Sequence, residues 1–451
     1  MNYKNIHKVY FIGIGGIGMS ALARFFNQFG AEVSGYDLTE TPLTRQLQEE
    51  GIHVHYDDNP NAVPSDADLY IFTPAVPDNQ AELKSLRDKG IRVFKRSEIL
   101  GLLSRNFKTI AVAGTHGKTT TSSMIAHLLI AAGKPVNAFI GGISVNLNSN
   151  FVYSDQAEIL VVEADEYDRS FLQLHPDIAV VTAIDEDHLD VYGSAEQLRS
   201  TFDEFVDQLH DDGRLIVHEA VSTESVNNKS PVRYGFSEDL DVYADNLSTA
   251  RGQMLFDIKC GKARWSNLAL SMPGRHNVEN AVAAIQVCRE LGLSENEIRM
   301  GLQSYRGVKR RFEIRINKPG QVYVDDYAHH PKELEACIKA VRSFFPGKKI
   351  TGAFQPHLYS RTRDFADGFA ESLKLMDEII LLDIYPAREK PIPGVDAQML
   401  ADKIQDDKVK VLSKKELLKF VEQNKPELFL TLGAGDIDQL VEPITNILSR
   451  K

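Results

Sequence analysis

TIAVAGTHGKTTTSS, running from Thr109 to Ser123, changes character twice along its length. Thr109 to Ala113 is an apolar, β-branched run that reads as a buried strand. Gly114-Thr115-His116-Gly117-Lys118-Thr119-Thr120 then forms a tight glycine turn. Beyond it, Met124, Ile125, Leu128 and Leu129 share one face of a helix. Strand, glycine turn and helix N-terminus together build an anion site. Backbone N–H groups converge there, and the helix dipole adds its positive end. Lys118 supplies a point charge for β- and γ-phosphates, and the Thr119 hydroxyl a ligand for Mg²⁺. The spacing departs from G-x-x-x-x-G-K-[ST], because only Thr115 and His116 separate the two glycines. The expectation is an ATP site in an α/β domain, against the plainer alternative of a glycine turn without a ligand.

The remainder of the chain bounds this reading. At 451 residues, a soft expectation is about three domains. With 43% hydrophobic and 25% charged residues, the composition is that of an ordinary globular protein. A net charge of −12 argues against a nucleic-acid surface or an anionic membrane, and leaves room for a local basic pocket. Cys260, Cys288 and Cys337 have no metal-binding spacing and read as packing thiols in a reducing cytosol. No apolar run is long enough to span a bilayer, so no membrane insertion is expected.

Upstream lies a first nucleotide-type unit, residues 1–106. Val9 to Ile14 reads as a strand. Gly13, Gly15 and Gly18 satisfy G-x-G-x-x-G, and a helix continues from Met19 to Phe29. Glu32 to Tyr36 reads as a second strand ending at Asp37, completing the dinucleotide fingerprint. The physics suits any diphosphate joined to a ribose, NAD or a UDP-sugar alike. Leu69 to Thr73 and Arg92 to Phe94 read as further strands, the second followed by Lys95-Arg96-Ser97. Expected ligand contacts are Gly13, Gly15, Gly16, Gly18, Ser20, Asp37 and Thr73.

Residues 107–310 read as the ATP-binding unit. Ile159 to Val162 is an apolar strand running into Glu163-Ala164-Asp165-Glu166. An acid at that point is where a Mg²⁺ ligand is wanted. Ile178 to Ala183 is the next strand, followed by the acid-rich Asp185-Glu186-Asp187-His188-Leu189-Asp190. Residues 213–271 alternate short strands and turns. Pro273 to Asn280 opens an alanine-rich helix with Asn277 and Asn280 on adjacent positions of one face. Such an Asn reads an adenine edge, or simply caps the helix.

Residues 311–451 read as a third α/β unit. Strands at Val322–Val324, Ile350–Phe354, Ile379–Asp383 and Leu428–Leu432 each end in a polar cluster. Asp325-Asp326-Tyr327-Ala328-His329-His330 follows the first, and Gln355-Pro356-His357-Leu358-Tyr359-Ser360-Arg361 the second. Arg388 follows the third. Four such clusters describe one functional edge.

GTHGKTT, EADE, DEDHLD, PGRHNVEN, GVKRRFE, DDYAHHP and QPHLYSRTR, in that order, resemble the Mur ligases. With the N-terminal GIGGIGMSALA the chain is similar to the alanine-adding branch. The resemblance implies an α/β fold of three domains: a Rossmann-like UDP-sugar domain, a central P-loop ATPase and a Rossmann-like C-terminal domain that takes the amino acid. It implies UDP-N-acetylmuramate and L-alanine as substrates, ATP and Mg²⁺ as cofactors, and cytoplasmic peptidoglycan synthesis in a bacterium; the expected assembly is a monomer or weak homodimer. Carried over by position, Gly114, Thr115, His116, Gly117, Lys118, Thr119 and Thr120 hold phosphates. Asn280, Arg311 and Asp326 contact ATP. Thr119, Glu163 and His188 bind Mg²⁺, and His329 and Arg361 line the amino-acid pocket. The catalytic set is then Lys118, His188, His329 and Arg361. Many relatives carry arginine where this chain has Leu358. Branches adding other amino acids usually carry a carbamylated lysine past the metal histidine, whereas residues 189–212 contain no lysine.

Other readings explain less. A nicotinamide dehydrogenase accounts for the N-terminal fingerprint and leaves Gly114–Thr120 idle. A non-catalytic UDP-sugar-binding regulator leaves the C-terminal clusters idle. Within the family, the nearest rival attaches a recycled tripeptide.

Overall fold

The structure is a computed structural model and describes residues 3–185, 192–221, 230–250, 252–387 and 389–450. Its frame is three sheets, in a mixed α/β fold. The first holds β1 (Lys8–Ile12), β2 (Glu32–Tyr36), β3 (His53–His55), β4 (Leu69–Phe72) and β5 (Phe94–Lys95). Their spatial order is β3-β2-β1-β4-β5, all parallel. The chain winds outward from β1 in both directions, so the ends of β1 and β4 flank the switch point where such sheets bind ligands. The strand expected at Arg92–Phe94 is instead Phe94–Lys95. Only two residues pair there, because Lys95 already precedes the helix Arg96–Ser104.

The second sheet is built from β6 (Lys108–Ala113), β7 (Val136–Ser144), β8 (Ser149–Val152), β9 (Ile159–Glu163) and β10 (Ile178–Val181). It continues through β11 (Arg214–His218), β12 (Val232–Gly235), β13 (Val242–Ala250), β14 (Gln253–Cys260) and β15 (Ala263–Leu270). Its order is β15-β14-β13-β12-β11-β10-β6-β9-β7-β8. β6 lies parallel between β9 and β10, and Thr109 to Ala113 are wholly buried, as the unbroken apolar run requires. The residues after β6, β9 and β10 therefore emerge at one edge.

The third sheet holds β16 (Glu313–Lys318), β17 (Gln321–Asp326), β18 (Ile350–Phe354), β19 (Glu378–Leu381), β20 (Val409–Val411) and β21 (Leu428–Leu432), in the order β16-β17-β21-β18-β19-β20. β16 is antiparallel to β17, and the others run parallel. The polar clusters after β17, β18, β19 and β21 thus share the C-terminal edge.

The chain divides into two compact units. One comprises Met1–Leu247, Leu255–Leu270 and Val278–Arg306; the other comprises Ser248–Met254, Ser271–Asn277 and Gly307–Lys451. Apart from Ser248–Met254, where β13 turns into β14, the first two sheets lie in the first unit, and they share one apolar core. Phe25, on the helix Ile17–Gln28, meets Phe139 of β7 and Phe151 of β8 at ring-centroid distances of 5.7 and 5.9 Å. In the other unit, Val324, Phe354 and Leu430 fill one face of the sheet, and Tyr323, Ala353 and Phe429 the opposite face. Successive strand residues point to opposite faces, so a sheet clothed on both sides must be apolar throughout.

Candidate active site

After β6, Gly114 and Gly117 take φ of +137° and +81°. An added Cβ at Gly114 would lie 2.1 Å from Thr182 Oγ1, and one at Gly117 2.6 Å from Asn280 Oδ1. The turn is therefore closed to side chains as well as left-handed. Its far side is braced by the loop after β10. Thr115 N donates to Ala183 O at 3.0 Å, and Thr115 Oγ1 accepts from Asp185 N at 3.0 Å. Thr182 Oγ1 donates to Ala113 O at 3.1 Å and also to His116 O. Gly117 caps the helix Lys118–Ala131, whose first amides have no intrahelical acceptor.

Lys118 Nζ donates to Gly114 O at 2.6 Å and to Glu166 Oε1 and Oε2 at 2.9 and 2.7 Å. Glu166 has no solvent exposure. Burial pulls the lysine pKa down, but Glu166, Asp165 and Glu163 outweigh it and leave it raised, so Lys118 is a cation. Glu163, at the end of β9, accepts from Gly141 N at 3.1 Å. Asn280 Oδ1 accepts from Thr121 Oγ1 at 3.2 Å, beside the turn. Asn277 instead turns back, its Nδ2 donating to Pro273 O at 2.6 Å. His188 lies outside the described residues, as does Arg388. Among the described residues no three His, Cys, Asp or Glu form a metal-binding group. The oxygen donors Thr119 and Glu163 are of the type that Mg²⁺ takes.

After β1, Gly13 has φ +84°, and Gly16 N donates to Gly13 O at 3.3 Å, closing the second turn. Asp37 Oδ2 accepts from Gly15 N at 2.7 Å. The carboxylate expected at a ribose thus sits against the glycine turn. Thr73 flanks it, with its Cγ2 2.6 Å from where a Gly13 Cβ would be. Ser20 is fully buried. Its hydroxyl donates to Ile17 O at 3.0 Å and accepts from Asn150 Nδ2 at 2.9 Å, a structural engagement rather than an open contact. Asn150 also receives Arg24, which grips Glu50 with two bonds of 2.7 and 2.8 Å.

In the other unit, Asp326 accepts from Phe312 N and Ala328 N at 2.6 and 2.7 Å. Desolvation raises its pKa to about 6 against the opposing pull of Arg311. Arg311 lies over the Tyr327 ring, its Cζ 5.0 Å from the centroid. His329 Nδ1 faces Tyr327 O at 3.1 Å and Glu333 Oε2 at 3.3 Å. A carbonyl only accepts, so Nδ1 carries the hydrogen and Nε2 the lone pair. Burial lowers the His329 pKa, Glu333 opposes this, and Arg361 lowers it further, so the ring is neutral near pH 7. Arg361 lies on the short helix Tyr359–Asp364, which follows Leu358 at φ +68°.

Glu166, Glu333 and Asn150 were not singled out by sequence. Glu166 stands 48 residues from Lys118, beyond any local spacing rule. Its one signal was its place in the acid run after a buried strand.

Three family models match in series: Mur ligase family, catalytic domain, over residues 8–108; Mur ligase middle domain over 112–288; and Mur ligase, glutamate ligase domain, over 310–435. The UDP-N-acetylmuramate–L-alanine ligase of Cytophaga hutchinsonii is 48% identical over 98% of this chain and 97% of that relative. That of Flavobacterium psychrophilum is 45% identical over the whole of both. The solved UDP-N-acetylmuramate-alanine ligase of Thermotoga maritima superposes with TM-score 0.83 at 29% identity, covering 98% of each chain. A murein peptide ligase of Psychrobacter arcticus shares the fold at TM-score 0.71 and 22% identity, covering 99% of each. Matched in series by three models that together span most of its length, and 45–48% identical to relatives along nearly all of it, the chain belongs to the Mur ligase family.

Proposed function

We propose that this chain joins L-alanine to the lactyl carboxylate of UDP-N-acetylmuramate, converting ATP to ADP and phosphate, in bacterial peptidoglycan synthesis. The observation that carries the reading is Lys118: a cation held at a glycine turn beside the acid-bearing ends of β9 and β10. The alanine-adding relatives favour alanine over a tripeptide.

The carboxylate oxygen attacks the γ-phosphorus and ADP leaves, giving an acyl phosphate. The alanine nitrogen attacks the acyl carbon, and the tetrahedral adduct collapses to amide and phosphate. Lys118 exchanges Glu166 for a phosphate oxygen and neutralises charge on the transferring group. Thr119 and Glu163 would hold Mg²⁺, to which the family resemblance adds His188. When bound, the ion offsets phosphate charge. Gly114 to Thr120 cradle the phosphates, and Asn280, Arg311 and Asp326 hold the rest of ATP. Arg361 pairs with the alanine carboxylate. Neutral His329, with Nε2 as acceptor, takes a proton from the alanine ammonium. Gly13, Gly15, Gly16, Asp37 and Thr73 hold the UDP-sugar, with Gly18 part of the same turn. Ser20 serves through position. We place the enzyme in the cytoplasm, as a monomer or weak homodimer; no described helix is long and apolar enough to cross a membrane.

Product identification by mass spectrometry tests the proposal. With UDP-N-acetylmuramate, ATP, Mg²⁺, mixed amino acids and the tripeptide, the expected product gains one alanine. A tripeptide adduct as the main product would overturn the assignment.

A further inference from the structure

Arg96 begins the helix after β5, and its side chain crosses to the glycine turn after β1. An added Cβ on Gly18 would lie 2.8 Å from Arg96 Nη1 and 3.0 Å from Cζ. The guanidinium therefore rests directly on the turn. Its side chain is only 23% exposed, yet among the described residues it donates no hydrogen bond. Its nearest carboxylate, Asp165, stands at 3.9 Å, beyond hydrogen-bond range. Neighbouring cations differ. Lys95 reaches Asp168 at 3.0 Å, and Arg24 is saturated by Glu50 and Asn150.

A guanidinium carries five donors in a planar fork and is costly to shelter without acceptors. Here it lies beside a helix N-terminus whose first amides also lack partners. Gly16 and Ile17, at the tip of the turn, are exposed, so a ligand has access. Planar forks match phosphate oxygens two at a time.

We infer that Arg96 is a binding residue for the diphosphate of the nucleotide sugar, and that Gly18 is glycine to make room for Arg96. The inference rests on the UDP-sugar reading of this turn and adds to it a cation. It also reassigns the third glycine of the fingerprint. Gly18 admits a side chain from β5's end rather than the ligand itself. Asp165 stands next to the guanidinium until the diphosphate arrives.

Calorimetry with UDP-N-acetylmuramate and with a non-hydrolysable ATP analogue tests this. Arg96→Ala should bind the UDP-sugar about ten- to a hundredfold more weakly, as for a lost charge-assisted pair, with the ATP analogue unchanged. Arg96→Lys should recover part of the loss. Gly18→Ala, which favours the helix and should fold, displaces the arginine and weakens UDP-sugar binding in the wild-type background. In the Arg96→Ala background the same change should cost little, since its effect runs through Arg96. Equal cost in both backgrounds, or UDP-sugar affinity of Arg96→Ala within twofold of wild type, would overturn the inference while leaving the ligase assignment intact. Wild-type protein that binds no UDP-sugar would instead overturn that assignment, and this inference with it.

Discussion

Lys118 meets two demands that substitution separates. In its proposed role as the charge beside the transferring phosphoryl group, its loss should lower kcat at least a hundredfold, since such electrostatic stabilisation is worth about 3 kcal/mol. As the partner of fully buried Glu166, its loss also strands a carboxylate, a change that costs about 3–5 kcal/mol when a buried pair is broken. Lys118→Ala should therefore melt lower, and adding Glu166→Gln should restore stability without restoring turnover. Thermal denaturation and ADP release measure the two effects. Arg361→Ala should raise the alanine KM ten- to a hundredfold, in line with about 1.5–3 kcal/mol of charge-assisted hydrogen bonding, and the ATP KM far less. An unchanged alanine KM in steady-state kinetics would place the carboxylate elsewhere. Asp326 imposes a pH dependence of known sign. Its pKa rises from 3.8 to about 6 through desolvation, so the folded chain holds a proton that the unfolded chain releases earlier. That contribution is full below pH 3.8 and is lost as pH climbs through about 6. Asp326→Asn should remove this fall from the melting-temperature profile; a profile identical to wild type would count against the raised value.

At the scale of elements, the glycine turns decide most. Gly117→Ala places a methyl against Asn280 and forces alanine to φ +81°. ATP-analogue affinity should fall at least tenfold, from strain of about 1–3 kcal/mol added to the displaced Asn280, while UDP-sugar affinity holds. Equal loss of both ligands in calorimetry would indicate unfolding. The strands behind these turns were legible because parallel strands buried on both faces are continuous apolar runs, as at Thr109–Ala113 and Leu428–Leu432. β16 escaped notice: EIRINK alternates charge and apolar residues on an antiparallel edge, a weaker signal than an unbroken run. The helix Ile17–Gln28 begins before Met19, where expected, because Gly16 supplies the cap.

At the scale of the molecule, each compact unit carries some of the residues proposed to act in ligation. Lys118, Glu163 and Asn280 belong to the first, and Arg311, Asp326, His329 and Arg361 to the second. The chemistry assigned to them predicts a fixed balance: each ligated product is accompanied by one ADP and one phosphate. Release of AMP and pyrophosphate, read by ion-exchange chromatography, would replace the acyl phosphate with an acyl adenylate.

Sequence alone determined the α/β class, the two glycine turns and the kinds of side chain waiting at the strand ends. These are local matters: β-branched runs, positive-φ glycines and helix starts are written in neighbouring residues. Tertiary structure decided which of those side chains meet. Glu166 rather than another acid takes Lys118, Arg96 settles on Gly18, and Ser20 turns inward to Asn150. The physical reason is sheet order. β9 enters between β6 and β7, and β4 between β1 and β5, so partners far apart in the chain are brought to one edge by pairings that no local spacing records.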